Sequence, residues 1–350
     1  MVRKAEWLNS PLALTQRCSN LLMKWGLPII LLHLVDYVVQ STPPSEWARD
    51  TVLLDGFSGQ QALSQYYREQ GLAADHFDLL DGPDGDILEP KGFCQIIKKV
   101  LKIAPCGLLF GGPPCGSWVY INRATSKRQA RRIFGDCSRL YVRHANTITT
   151  RWIMLGLLAA SRAVQWLTEQ PRSSVMMLCP YVRYAALALR PLCWKVVSFP
   201  MGCYGHRSQK PSLCFGTSSW LESLSSKLTL KDKERIKKNK EDPKKAMVIR
   251  TISKRGSISV RQGGPGMKDS AAYPRKFAKK IHKEHTASME EATSSGAFTS
   301  GPAVDNTQKP LKGPFRWRHA RLAGLKEFLL ERIADGSYRP ILTHGLGEFD

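Results

Sequence analysis

The chain reads as an α/β protein on a doubly wound, mainly parallel sheet. Three observations predict this. Between residues 51 and 217, short apolar or β-branched runs of strand length alternate with stretches of helical spacing. A glycine-bearing turn, Asp-Gly-Phe-Ser-Gly-Gln-Gln at 55–61, follows the first such run, where sheets of this kind let backbone approach a ligand. A second loop, Gly-Gly-Pro-Pro-Cys-Gly-Ser-Trp at 111–118, follows a later run. Its two prolines fix φ and remove two backbone donors, so Cys115 is expected on a stiff tip at a strand end.

The elements follow in order. The apolar run 27–39 is interrupted by Pro28, His33 and Asp36. It is shorter than the roughly 20 residues of a membrane span and is expected as a helix on the core. It also starts too late for an ordinary signal peptide. Residues 1–24, basic and nearly free of acids, are compatible with a transit peptide. Strands are expected at 51–54, 73–77, 108–110, 165–168, 194–199 and 212–217. Helices are expected at 61–70, ended by Gly71, and at 92–101, with Phe93, Ile96, Ile97 and Val100 on one face. Two more fall at 146–164 and 173–189.

Beyond Trp220 the composition shifts to a charge run at 231–245 and then to Gly, Ser, Pro and Lys. Such a stretch buries little apolar area, so a disordered basic tail is expected, removable without loss of folding. A helix at 315–333 ends the pattern. The divisions are 1–48, an N-terminal helical segment; 49–222, the catalytic domain; 223–314, the basic tail; and 315–350, a helix and the C-terminal end.

Lys and Arg number 52 against 29 Asp and Glu, a net charge of +23, which favours a polyanionic partner, nucleic acid first. The nine cysteines form no CxxC pair and no zinc-spaced cluster with histidine. No metal and no membrane partner is expected, and reduced thiols fit an intracellular protein, in the nucleus or an organelle. The stretch 123–143 carries Arg123, Lys127, Arg128, Arg131, Arg132, Arg139 and Arg143 against Asp136 alone. Directly after Cys115, it is expected as a phosphate-binding lip, or else as a solvated helix face. Trp118 and Tyr120 are candidates to stack on a base, with core packing the equal alternative.

Neither GxGxxG nor GK[ST] occurs, which argues against a dinucleotide site or a P-loop. Asp78 stands about 20 residues after the first turn, where an acid commonly holds ribose hydroxyls. Asp86, in Gly85-Asp86-Ile87, offers a second carboxylate.

Taken in order, these motifs resemble the S-adenosylmethionine-dependent methyltransferases, most closely the DNA cytosine-5 family, over about residues 50–217. Asp55, Phe57 and Gly59 match the family's Asp-x-Phe-x-Gly-x-Gly, with Gln61 in place of the last glycine. Asp78, the Gly85-Asp86-Ile87 triplet and Pro113-Pro114-Cys115 match the next motifs; Glu169-Gln170-Pro171 keeps only the Glu of Glu-Asn-Val. The resemblance implies a Rossmann-like methyltransferase sheet. It implies S-adenosylmethionine held by Asp55, Phe57, Ser58, Gly59, Asp78, Asp86, Ile87 and Pro113. It implies Cys115 as the nucleophile at carbon 6 of cytosine and Glu169 as the acid at N3, on a base turned out of its duplex. Nucleic acid, DNA before RNA, would meet Trp118, Arg123, Lys127, Arg128, Arg131, Arg132, Arg207 and Lys210. Where the family has Gln-x-Arg-x-Arg, the arginines become Lys210 and Ser212. The family's Gln-x-Gly-Asn, which closes the cofactor pocket, has no counterpart, and the N-terminal helix is expected in its place. Two alternatives stay open: a catalytically degenerate nucleic-acid-binding module, and an RNA cytosine methyltransferase.

Overall fold

A computed structural model describes residues 9–242, 248–252, 259–263, 272–295 and 322–340. Six strands form one mixed sheet in the order β2-β1-β3-β4-β6-β5: β1 Thr51–Gly56, β2 Ala74–Phe77, β3 Ile103–Gly111, β4 Gln165–Pro171, β5 Lys195–Pro200 and β6 Pro211–Gly216. The pairs β2–β1, β1–β3 and β3–β4 are parallel; β6 runs antiparallel between β4 and β5. A separate antiparallel hairpin joins β7 Val248–Ile252 to β8 Ser259–Gly263.

Among the described residues, ten α-helices accompany the strands: α1 Gln16–Lys24, α2 Ile29–Ser41, α3 Ala62–Glu69, α4 Pro90–Leu101, α5 Arg123–Ser126, α6 Leu140–Ser161, α7 Pro180–Ala188, α8 Leu230–Glu241, α9 Arg275–Ser294 and α10 Ala323–Ala334. Alternation along the strands divides the core in two. Leu54, Leu109, Trp166, Leu213 and Phe215 face a cluster with α1, α2, α4, α6, α7 and α10. Leu53, Leu108, Phe110, Leu167 and Cys214 face a second cluster with α3 and α9. The sheet is thus covered on both faces, as a doubly wound α/β fold requires.

Several expectations are corrected. The helix expected over 173–189 is a short 3-10 turn, Val175–Leu178, followed by α7. Pro180 causes the break: the residue before a proline is driven out of the helical region, and Cys179 has ψ 129°. The basic tail is ordered in part. Phe277, Ile281 and His285, each one helical turn after the last, are fully buried along α9. A buried stripe, apolar at Phe277 and Ile281 and hydrogen-bonded at His285 to the Tyr67 hydroxyl and the Cys106 carbonyl, therefore packs where average composition predicts no fold. Most of the remaining tail lies outside the described residues, as do 315–321 of the expected terminal helix. The rest of that helix, α10, packs on α2: the Phe328 and Tyr37 rings meet edge to face at 5.4 Å. The Tyr338 hydroxyl beyond α10 donates to Asp36 Oδ2 at 3.0 Å. The N-terminal helices lie on the face opposite α9, and it is α9 that packs on α3, while Phe57 of the first loop packs with the N-terminal helices' cluster.

Candidate active site

Strand register sets the site. Gly56 pairs with Phe77 on one side and Gly111 on the other, and Gly111 pairs with Thr168. The carboxyl ends of β2, β1, β3 and β4 therefore lie side by side. Strand order turns back at β1, which places the topological switch point between β1 and β3, where open α/β sheets bind ligands. The loops after those two strands carry the motifs.

The first loop turns through left-handed residues at every second position: Phe57, Gly59 and Gln61 have φ 56°, 51° and 56°. Gln61 therefore adopts the conformation for which a glycine suits this place, at a strain on the order of 1 kcal/mol. The departure from the glycine pattern changes the residue but not the turn. The Gly59 N–H donates to Asp78 Oδ2 at 2.8 Å, tying the β1 loop to the end of β2. Asp86 Oδ1 accepts from the Leu88 N–H at 2.8 Å, and Ile87 is buried. A Cβ on Gly85 would lie 1.9 Å from the Asp78 carbonyl oxygen, so the bend that joins the two acids admits only glycine. An open depression of about 430 Å³ at the outer edge of β2, lined in part by His76, Phe77, Asp81 and Gly85, borders these acids. None of the eight expected cofactor residues lines it.

Asp55 is buried at the end of β1. Its Oδ2 accepts from the Ser64 N–H at 3.3 Å, while Oδ1 has no partner among the described residues; nor has the buried Ser58 Oγ. Burial pushes the Asp55 carboxyl up to about 7. Between the ordinary carboxylate range and that value, the folded protein holds a proton that the unfolded chain releases. Stability therefore falls as pH rises through this window, by at most about 1.4 kcal/mol per pH unit. Asp55→Asn is expected to flatten this slope and to raise Tm above pH 7. Thermal unfolding between pH 4.5 and 8 checks it, and an unchanged slope in the variant would contradict it.

The second loop is pinned from β4. Gln170 Nε2 donates to the Pro113 carbonyl at 2.6 Å, and Ser174 Oγ donates to Gln170 Oε1 at 3.0 Å. The N–H groups of Trp118 and Val119 close a turn on the Cys115 carbonyl at 2.8 and 3.1 Å. Cys115 is half-buried between exposed Pro114 and Gly116. Burial, with Glu169 acting in the same sense, raises its thiol above the ordinary range, and Lys210 opposes them. The resting group is therefore a thiol, and a cation brought nearby would favour the thiolate. Glu169 is buried at the end of β4; its Oε2 accepts from the Tyr273 hydroxyl at 3.1 Å, while Oε1 has no partner among the described residues.

The basic stretch divides. Arg123, Lys127, Arg131 and Arg132 are exposed. Trp118 and Arg128 are not, and both leave the expected nucleic-acid set. Trp118 is 0% exposed, turned inward by the Cys115 turn. The Arg128 guanidinium lies 3.5 Å over its ring and donates to Ser117, the Ile133 carbonyl and Asn146 Oδ1. Tyr120 is exposed, as is Tyr141, and the Arg123 guanidinium lies 4.0 Å from the Tyr120 ring centroid. Arg207 and Lys210 are half-buried, Lys210 with Nζ 5.3 Å from the Tyr273 ring. Two residues of the site escaped sequence reading. Gln170 looked like a lost asparagine, and Tyr273 lay in the expected tail.

No helix among the described residues is long and apolar enough to cross a membrane. Among the same residues, no cluster of His, Cys, Asp and Glu could hold a metal. The chain matches no protein-family model and no curated protein sequence.

Proposed function

We propose that this protein transfers a methyl group from S-adenosylmethionine to carbon 5 of cytosine in nucleic acid, on a Rossmann-like methyltransferase sheet. The observation that carries the reading is the meeting, at one set of strand ends, of the glycine turn, the loop of Cys115 and a buried carboxyl with an unpartnered oxygen.

The donor set fits this cofactor better than a phosphorylated one. Asp55 ends the strand before the β1 loop, and Asp78 accepts from its Gly59 N–H. The loop itself contains no lysine or arginine, and the Arg68 guanidinium of α3 beside it donates to Gln61 Oε1 at 3.1 Å. A carboxylate at Asp78 repels phosphates and accepts from ribose hydroxyls, and Asp55 can accept from a ligand in either protonation state. The orphaned Asp55 Oδ1 and Ser58 Oγ are unsatisfied polar atoms of the kind a ligand serves. Asp55, Phe57, Ser58, Gly59, Asp78, Asp86, Ile87 and Pro113 would hold the cofactor, which supplies an electrophilic methyl sulfonium. Cys115 adds as thiolate to carbon 6 of the base, and Glu169 shares a proton with N3 as charge develops there. The addition makes carbon 5 nucleophilic, so that it would take the methyl as the methyl–sulfur bond breaks; loss of the carbon-5 proton to solvent water would then expel the thiolate.

The exposed Arg123, Lys127, Arg131 and Arg132 would hold phosphates around the turned-out base, with Tyr120 offering a stacking face. Replacing Arg131 and Arg132 together by Ala is expected to lower the slope of log K against log salt by about 1 to 2. Binding to a labelled duplex over a salt series measures it; an unaltered slope would remove these residues from the interface. The degenerate-module reading is favoured by one observation. Ser212, where the family places an arginine, is fully buried.

The function itself is tested by incubating the full chain with methyl-labelled cofactor and with duplex DNA or RNA in separate arms. Label at carbon 5 of cytosine in either arm supports methyl transfer, and the labelled arm names the substrate. Folded protein that labels neither overturns it.

A further inference from the structure

We infer that Tyr273 is a positioning residue of this site, which holds one oxygen of Glu169 and leaves the other for the base. The inference rests on reading Glu169 as the acid at N3. Tyr273 lies 104 residues beyond Glu169, just before α9, yet its hydroxyl reaches Glu169 Oε2 at 3.1 Å. Glu169 Oε1 is buried with no partner among the described residues. A carboxyl tied at neither oxygen can rotate about its terminal torsion, which has a broad, soft profile. Tied at one, it presents the other in a fixed direction, which is what proton sharing with a bound ring requires.

The phenol suits this task. Burial and the neighbouring Glu169 push its ionisation well above the ordinary range, so it donates and does not deprotonate. The ring is fixed by Phe110 and Phe277, with centroids at 5.4 and 5.5 Å, and by the Lys210 ammonium. The loop of Cys115 closes over the same contact. A Cβ on Gly112 would stand 2.3 Å from the Tyr273 hydroxyl oxygen and 3.7 Å from Glu169 Oε2. Gly112 does not have a left-handed φ, so the hydroxyl's close approach, rather than backbone conformation, is what excludes a side chain there. Three distant parts of the chain thus meet at one hydrogen bond: the loop after β3, the end of β4 and the lead into α9.

The test uses the full chain, S-adenosylmethionine and a duplex containing 5-fluorocytosine, read as the rate of covalent adduct formation. Tyr273→Phe keeps the ring and deletes the hydroxyl. It is expected to slow the adduct about tenfold and to change duplex affinity less than twofold. Gly112→Ala pushes the hydroxyl away from Glu169 and is expected to slow it about equally. The double variant should be no slower than either single one, because the added methyl then meets no hydroxyl. A wild-type rate in Tyr273→Phe overturns the inference, as does a double variant slowed about a hundredfold. Should the wild type form no adduct, methyl transfer fails as the reading. The contact is then judged by NMR of protein carrying 13C at tyrosine Cζ, the Tyr273 signal being assigned from its loss in Tyr273→Phe. Its displacement in Glu169→Gln supports the contact, and an unmoved signal overturns it.

Discussion

Cys115→Ser is expected to lower methyl transfer by on the order of 10⁴-fold or more, while Tm stays within about 2 °C of wild type. The two halves of this expectation have separate grounds. A serine hydroxyl is far less acidic than a thiol and cannot supply the nucleophile at neutral pH. The loop, however, is held by backbone and by Gln170, not by the sulfur: the Cys115 carbonyl accepts two N–H groups and the Pro113 carbonyl accepts Gln170 Nε2. Half-exposed Cys115 contributes little packing. Label incorporation and thermal unfolding on the same preparation check both parts. Large destabilisation would mean that Cys115 is a core residue and that any lost activity says nothing of its chemistry.

The second large effect lies far along the chain. Phe277→Ala is expected to cost about 4 kcal/mol and to lower Tm by roughly 10 °C. Phe277 is fully buried against Phe199, Tyr204, Phe110 and Tyr273, with ring centroids between 5.3 and 6.3 Å. Truncation leaves a cavity on the face of the sheet covered by α9. It also loosens Tyr273, so methyl transfer should fall further than stability alone requires. Scanning calorimetry gives the first quantity, and activity at a temperature where the variant stays folded gives the second. A Tm within 2 °C of wild type would contradict the packing of 272–295 on the sheet.

Most of the α/β order was legible because strand-length runs alternate with helical spacing and strong turn residues punctuate them. The Cys115 loop was legible for the same reason: glycine and proline impose local geometry that needs no tertiary context. What failed depended on contacts distant in sequence. Trp118 reads equally as a stacking or a core residue, and the turn closed on the Cys115 carbonyl sends it into the core. Arg128 sits in a run of cations but is the one whose donors are taken by Ser117, Ile133 and Asn146. The α9 stripe at 277, 281 and 285 was present in the sequence, but average composition hid it. Tyr273 had no local signal, since its partner lies on another strand. Gln61 stands where the family's turn has its last glycine, and its left-handed φ keeps the turn a glycine would make.

The central claim is that Cys115 attacks a cytosine beside Glu169, and trapping that bond tests it most directly. The full chain is incubated with cofactor and a 5-fluorocytosine duplex, denatured, and weighed by intact-mass spectrometry. Fluorine at carbon 5 blocks release, so a species with the combined mass of protein, target strand and methyl group is predicted for the wild type and not for Cys115→Ser. No such species with either DNA or RNA, or one that persists in Cys115→Ser, would contradict the account.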